Sequence, residues 1–293
     1  GVRPPADPAR RAVAPTNRAA PPRVSFSAMR ERFGGYFPPS EAQLDALWAD
    51  SLIVFDANAL LNLYRYTSGA REAMFRALES MRDRVWIPHQ VALELHNNRA
   101  SVIRTQEDSA QRISATLEEI KVTSTEKLGQ HKKNGLIDVV SVLERVCETL
   151  DKLSHEVAAS SYDVKPQADP IIDRLAAIFE GRVGNEFNSV EYLKVVEIAE
   201  QRFNDEIPPG FKDSAKPGNR AFGDYILWRQ ILDKSKNDAV SVLLVTDDTK
   251  EDWWWSQAGY NLGPLPALRD EFLAVTGHFF WMYRPARFLK ELR

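Results

Sequence analysis

Cysteine is almost missing from this sequence: Cys147 is the only one among 293 residues. That excludes an internal disulfide and leaves no thiolate cluster for zinc or an iron–sulfur centre. Cys147 itself sits in an apolar helical pattern and is expected as a buried thiol. Histidine is nearly as scarce, with five residues, and His89 and His96 lack the spacing of a metal-ligand pair. No apolar run approaches the ~20 residues that a membrane-spanning helix needs. No charged, apolar and small-residue succession marks a secretory start, so the expected location is cytoplasmic with no membrane partner. The first residue is Gly1 rather than Met, as at a processed end. Charge of one sign is lacking too: 38 Lys and Arg stand against 41 Asp and Glu, for a net charge of -3. The whole molecule does not advertise a polyanion partner, although an acidic site and a local basic track cancel in such a sum.

What is present is enough for a core. Hydrophobic residues make up 44% of the chain and charged residues 27%, a globular balance. Residues 1–23, rich in Pro, Ala and Arg, are expected to be a disordered arm because they cannot repay the entropy of ordering. Ser40 and Gln43 read as a capping box opening a helix through Trp48. The run Ser51 to Phe55 is apolar from Leu52 onward and of buried-strand length, and it ends on Asp56. Helices are predicted over Ala59–Tyr66 and Ala70–Met81, a second strand over Arg84–Ile87, and a further helix with Pro88 in its first turn and Glu94 soon after.

Residues 98–204 are predicted to be a largely helical insert, with Leu136, Val139, Val140, Leu143, Val146, Leu150 and Leu153 at helical spacing. Arg99, Arg104, Lys121, Lys127, Lys132 and Lys133 lie along it, but interspersed acids make an ordinary charged surface the better reading. A Pro- and Gly-rich loop at 205–218 then leads to Asp224 near a helix start. Val240–Val245 is a third buried strand and runs into Thr246-Asp247-Asp248. A helix at Leu268–Val275, a strand at His278–Tyr283 and a helix at Pro285–Leu292 close the chain. Alternating helices and apolar strands favour an α/β domain with a mainly parallel sheet, its core expected at 40–97 and 205–293.

The chemistry lies in four acidic stations. Asp56 and Asp248 end or follow strands, while Glu94 and Asp224 fall in early helix turns, where an open α/β sheet presents its ligand crevice. Singly, each has a bland reading: Asp56 as a helix cap, Glu94 as a solvated residue, Asp224 as a partner of a helix dipole. Together they form a crowded set of hard oxygen donors, which a divalent ion such as Mg²⁺ or Mn²⁺ neutralises. Such ions activate water and stabilise charge on a phosphodiester. Asp213 and Lys216, in the Pro-Gly loop, are candidates to approach substrate or simple turn residues. Trp253, Trp254 and Trp255 are expected to pack in the core rather than stack on bases.

Phe55-Asp-Ala-Asn58, Glu94, Gly223-Asp224 and Val245-Thr-Asp-Asp248, in that order, resemble the acidic motifs of PIN-domain nucleases. The run Thr246-Asp-Asp-Thr-Lys-Glu-Asp-Trp-Trp254, with Pro209-Gly-Phe-Lys-Asp213 upstream, is similar to a bacterial PIN-like subgroup. The resemblance spans about Leu52 to Arg293, and its specificity comes from the set. It implies a three-layer PIN-like α/β domain with a long inserted helical subdomain, acting as a Mg²⁺- or Mn²⁺-dependent endonuclease. It further implies an RNA substrate, roles in toxin or phage-defence systems, and a protein partner such as an antitoxin-like regulator. Carried onto this sequence, Asp56, Glu94, Asp224 and Asp248 bind metal, and Asn58 and Thr246 support them. Asp247 and Asp248 are adjacent, and alternation along an extended segment puts Asp248 on the face of Thr246, favouring it as the ligand over Asp247. Competing expectations are a DNA-directed nuclease and a catalytically silent PIN-like binding module. A haloacid dehalogenase type of phosphatase ranks last, because Asp56-Ala-Asn58 lacks the second Asp of that chemistry.

Overall fold

The computed structural model describes residues 1, 29–30, 32–133, 135–160, 164–214 and 218–292. The arm at 1–23, Gly1 apart, and Lys216 lie outside them. The core begins with α1 (Glu41–Asp50), opened by the capping box: Ser40 Oγ accepts from the Gln43 amide at 3.2 Å and Gln43 Oε1 accepts from the Ser40 amide at 2.8 Å. It continues through β1 (Leu52–Phe55), the short α2 (Ala57–Leu61), α3 (Ser68–Ser80) and β2 (Val85–Trp86). Helices α4 (His89–Gly129), α5 (Val139–Ser160), α6 (Pro170–Ile178) and α7 (Ser189–Asn204) follow. Then come α8 (Gly223–Asp238), β3 (Val242–Val245), β4 (Trp254–Gln257), β5 (Tyr260–Pro264), α9 (Pro266–Thr276), β6 (Phe280–Tyr283) and α10 (Pro285–Glu291).

β2, β1, β3 and β6 form a parallel sheet in that order. Its strands are buried almost from end to end, with Ile53, Val54, Val242, Leu243 and Val245 at 1% exposure or less. Cover on both faces is what lets strands of continuous Val, Ile and Leu pair in parallel without exposing an apolar face. The architecture is the α/β fold with a mainly parallel sheet that the strand pattern predicts.

Three local expectations are corrected. Pro88 stands just outside α4 as its N-cap, with extended backbone (ψ 151°), rather than in the first turn. Trp254 to Pro264, with no strand expected there, forms the β4–β5 antiparallel hairpin. Cys147 is half-buried in the seam between α4 and α5, 3.8 Å from Thr125 Oγ1, because a two-helix hairpin covers only one side of each helix.

α4 is a single helix of 41 residues that runs from the core into the insert without a break at residue 98. Its distal half pairs with α5, where Lys121 meets Asp151 at 2.6 Å. The rest of the insert returns to the core: Ile171, Leu175, Ile178, Val195 and Ala199 are buried in the same cluster as the sheet. Asp169 pins that return. One oxygen caps α6 through the Ile171 and Ile172 amides, while the other accepts from Tyr64 Oη at 2.7 Å and Arg99 at 3.0 Å. Arg99 is therefore bound inside the fold rather than facing a basic track.

Candidate active site

Parallel register sets the site's first row. Phe55 pairs with Val245 and Val245 with Tyr283, so the next residues, Asp56, Thr246 and Arg284, emerge side by side at the carboxyl edge. The Asp56 amide donates to Val245 O and the Thr246 amide to Tyr283 O, fixing the row before any side chain contributes. Asp56 Oδ1 accepts from the Ala57 amide at 2.6 Å, so this carboxylate does cap α2. Its Oδ2 accepts from Asn58 Nδ2 at 2.6 Å and from Thr246 Oγ1 at 2.8 Å. Asn58 Oδ1 in turn receives the Asp247 amide at 2.8 Å.

Burial pushes the Asp56 carboxyl up to about 7, helped by the neighbouring charges of Asp224 and Glu94 and opposed by the bonds from Thr246 and Ala57. Asp224, the second residue of α8, is also held above the usual carboxylate range, first by burial and then by Asp213 and Asp248, with Lys250 pulling the other way. Glu94 comes from α4 and accepts from Gln90 Nε2 at 2.6 Å. The Gln90 amide bonds to Gln230 Oε1 on α8 at 3.0 Å, which locks the helix bearing Glu94 to the helix bearing Asp224. The two helices approach closely there: a Cβ on Gly223 would stand 2.7 Å from Glu94 Oε1, so the carboxylate would have to move aside.

A lysine that the sequence reading did not single out completes the site. Lys250 Nζ lies 2.8 Å from Asp213 Oδ2, 2.9 Å from Asp224 Oδ2 and 3.0 Å from Asp248 Oδ2. Burial works against its charge, but the three carboxylates overcome that and hold the ammonium above the ordinary lysine range. Asp248 builds the turn that delivers it, since its Oδ1 accepts the Lys250 amide at 2.7 Å. Asp252, fully buried, accepts the Gly210 and Lys212 amides on one oxygen at 2.9 and 3.2 Å, and so fastens the loop carrying Asp213 to this turn. Trp253 and Trp254 are 3% and 6% exposed. Trp253 meets the buried Trp228 edge to face, and Trp254 Nε1 donates to Asp248 O at 2.6 Å. These two rings brace the motif, whereas Trp255 is half-buried and meets Tyr36 edge to face rather than packing in the core as expected.

Asp247 turns the other way. Its Oδ2 accepts from Asn62 Nδ2 at 2.8 Å and its Oδ1 lies 3.4 Å from Arg284. Asp248 goes elsewhere: its backbone amide donates to Thr246 Oγ1 at 3.0 Å and its side chain meets Lys250. The structure thus brings Asp56, Glu94, Asp213, Asp224 and Asp248 into one neighbourhood and sets Asp247 at its lip.

Among the described residues no group of three or more His, Cys, Asp and Glu side chains is drawn into an arrangement that could hold a metal ion. The donor chemistry nonetheless fits a hard divalent cation: the set is all oxygen, and burial and mutual repulsion raise Asp56 and Asp224 as expected of carboxylates short of positive charge.

No curated protein and no solved structure matches the chain. The model of one family does, over residues 52–268, from the start of β1 into α9. That span covers most of the chain, including β1, β3, the helices bearing Glu94 and Asp224, and the turn bearing Lys250. On that match, the chain belongs to the PIN-like domain family.

Proposed function

We propose that this protein is a divalent-metal-dependent endonuclease that hydrolyses phosphodiester bonds in RNA. The observation that carries the reading is the crowding of Asp56, Glu94 and Asp224 at the carboxyl edge of the sheet, with two of the three pushed toward protonation. A fold retains such a costly cluster where a cation and an anionic ligand repay it. Asp56, Glu94 and Asp224 would hold Mg²⁺ or Mn²⁺, with Asp248 beside them. When bound, such an ion lowers the pKa of a water and stabilises charge on the phosphate. The protein's own part is to aim the oxygens. Thr246 and Asn58 fix Asp56 Oδ2, Gln90 fixes Glu94, and Lys250 fixes Asp213, Asp224 and Asp248 relative to one another. The RNA preference and the kinship with the subgroup ending in Thr-Asp-Asp-Thr-Lys-Glu-Asp-Trp-Trp rest on resemblance.

One observation favours a second reading, a silent binding module: the ammonium of Lys250 already touches three of the carboxylates. End-labelled single-stranded RNA and DNA, incubated with wild type and Asp224→Asn in Mg²⁺, Mn²⁺ or EDTA, separate the two. Metal-dependent cutting of RNA that Asp224→Asn loses is the expected result. Cutting that persists in EDTA, or that ignores the substitution, sinks the metal mechanism. No cutting of either strand, with no thermal shift on adding Mn²⁺, selects the silent module.

Gly223→Ala gives a finer check. Alanine favours a helix interior over glycine by roughly 1 kcal/mol and gains less at a first helical residue such as Gly223, so the melting temperature is expected to hold. The new methyl group displaces the Glu94 carboxylate, and a misplacement of that size costs on the order of a hundredfold in turnover. A variant with full activity would show that the position of Glu94 does not matter.

A further inference from the structure

Arg284 is the third residue of the row that begins with Asp56, and it lies beyond the residues matched by the family model. Parallel strands are about 4.8 Å apart, which sets its backbone roughly 10 Å from that of Asp56. Its side chain is 48% exposed and rests against Asp247 Oδ1. The other Asp247 oxygen takes a bond from Asn62 Nδ2, and Asn62 Oδ1 takes one from the exposed Arg65 at 2.8 Å. Asn62 is buried, at 7% exposure. The result is a chain of contacts, Arg65 to Asn62 to Asp247 to Arg284, along the lip of the acidic site. It is tied to the site's centre as well, because Asn58 holds both the Asp247 amide and Asp56 Oδ2.

An ordinary surface ion pair joins one cation to one anion and has little fixed geometry. This assembly is different: Arg284 meets the Asp247 carboxylate directly, Arg65 reaches it only through the buried Asn62 amide, and each guanidinium has N–H groups beyond those it spends here. It leaves net positive charge beside a cluster that would repel a polyanion, in a chain whose net charge is -3. A strand approaching Asp56 needs such a rim. Duplex strands carry a phosphate about every 3.4 Å, so roughly 10 Å places Arg284 a few phosphates from the centre and fewer on an extended strand.

We propose that Arg284 and Arg65 form a shelf that binds backbone phosphates of the strand flanking the scissile bond, with Asp247 as the positioning residue that orients Arg284. The proposal rests on the nuclease reading. It is tested by the binding of a fluorescein-labelled single-stranded RNA oligomer, followed by anisotropy in EDTA across a salt series. For Arg284→Gln the Kd is expected to rise about fivefold to tenfold near 0.1 M salt, and the slope of log Kd against log salt to fall by about 0.7. Arg65→Gln acts in the same direction, and the double variant loses about twice that slope. Arg284→Lys restores the slope but only part of the affinity, since an ammonium cannot present the planar fork. Arg287→Gln is the control, because Arg287 is also exposed but is paired with Glu291 on its own helix, and it is expected to change neither quantity. Circular dichroism melting checks that each variant folds. Unchanged binding by Arg284→Gln, or an equal loss in Arg287→Gln, overturns the shelf and leaves the nuclease reading standing. Failure of the wild type to bind single-stranded RNA overturns the shelf, while the nuclease reading stands or falls on the cleavage assay.

Discussion

Asp56→Asn is expected to reduce metal-dependent cleavage about a thousandfold, the equivalent of several kcal/mol of lost charge stabilisation, while shifting the stability of the metal-free protein in the opposite sense as pH rises. The carboxyl is lifted from an ordinary 3.8 to about 7 in the folded chain. Between those values the native state holds a proton that the unfolded state has released, so stability falls as pH rises through the window and stays low above it. Asn carries no charge to bury. The melting temperature of Asp56→Asn minus that of wild type should therefore move in the variant's favour between pH 5 and pH 8. Saturating Mg²⁺ reverses the comparison: an ion that binds only the native state adds about 2.7 kcal/mol at a hundred times its Kd, and the variant forfeits most of that. Melting curves at the two pH values, with EDTA or Mg²⁺, read both effects. A difference that does not change with pH would mean that Asp56 is not a partly buried, repelled carboxylate.

Asp56 was legible because its environment is encoded locally. Four apolar residues, Leu52 to Phe55, ending in Asp read as a buried strand delivering a carboxylate to its end, and Val242 to Val245, followed by Thr246, repeats the pattern. Side-chain alternation led us to expect Asp247 and Asp248 to part, and in the structure Asp247 meets Asn62 and Arg284 while Asp248 meets Lys250. Lys250 was not legible. Its partners Asp213 and Asp224 lie 37 and 26 positions away on separate elements, and nothing in the spacing of a lysine reveals which acids will surround it. The β4–β5 hairpin escaped for a local reason. Its turn is Ala258-Gly259 with φ of 49° and 82°, a conformation usually signalled by Asn-Gly or Asp-Gly, so an alanine in that position hides it. The unbroken α4 hid the limit between core and insert, since no Gly or Pro interrupts residues 89–128.

Lys250→Met carries the second large effect, and it follows from the same electrostatics. Removing one partner of a poorly solvated ion pair costs about 3–5 kcal/mol, because the charge left behind stays desolvated. Here one ammonium serves three carboxylates whose side chains are 11%, 22% and 12% exposed, so the loss strands several charges at once. For a chain of this size that corresponds to a fall of roughly 10 °C in melting temperature. The fall should be smaller at pH 5 than at pH 8, because Asp56, pushed up to about 7, is largely uncharged at pH 5 and no longer adds its repulsion to the neighbouring Asp224. Millimolar Mn²⁺ should recover more of the lost stability in Lys250→Met than it adds to wild type, if lysine and ion compensate the same oxygens. Lys250→Arg keeps the charge and is expected to lose far less. Should Lys250→Met melt with wild type at pH 8 in EDTA, the ammonium is not what holds Asp213, Asp224 and Asp248 together. The site's acids would then have to be balanced by something other than this side chain.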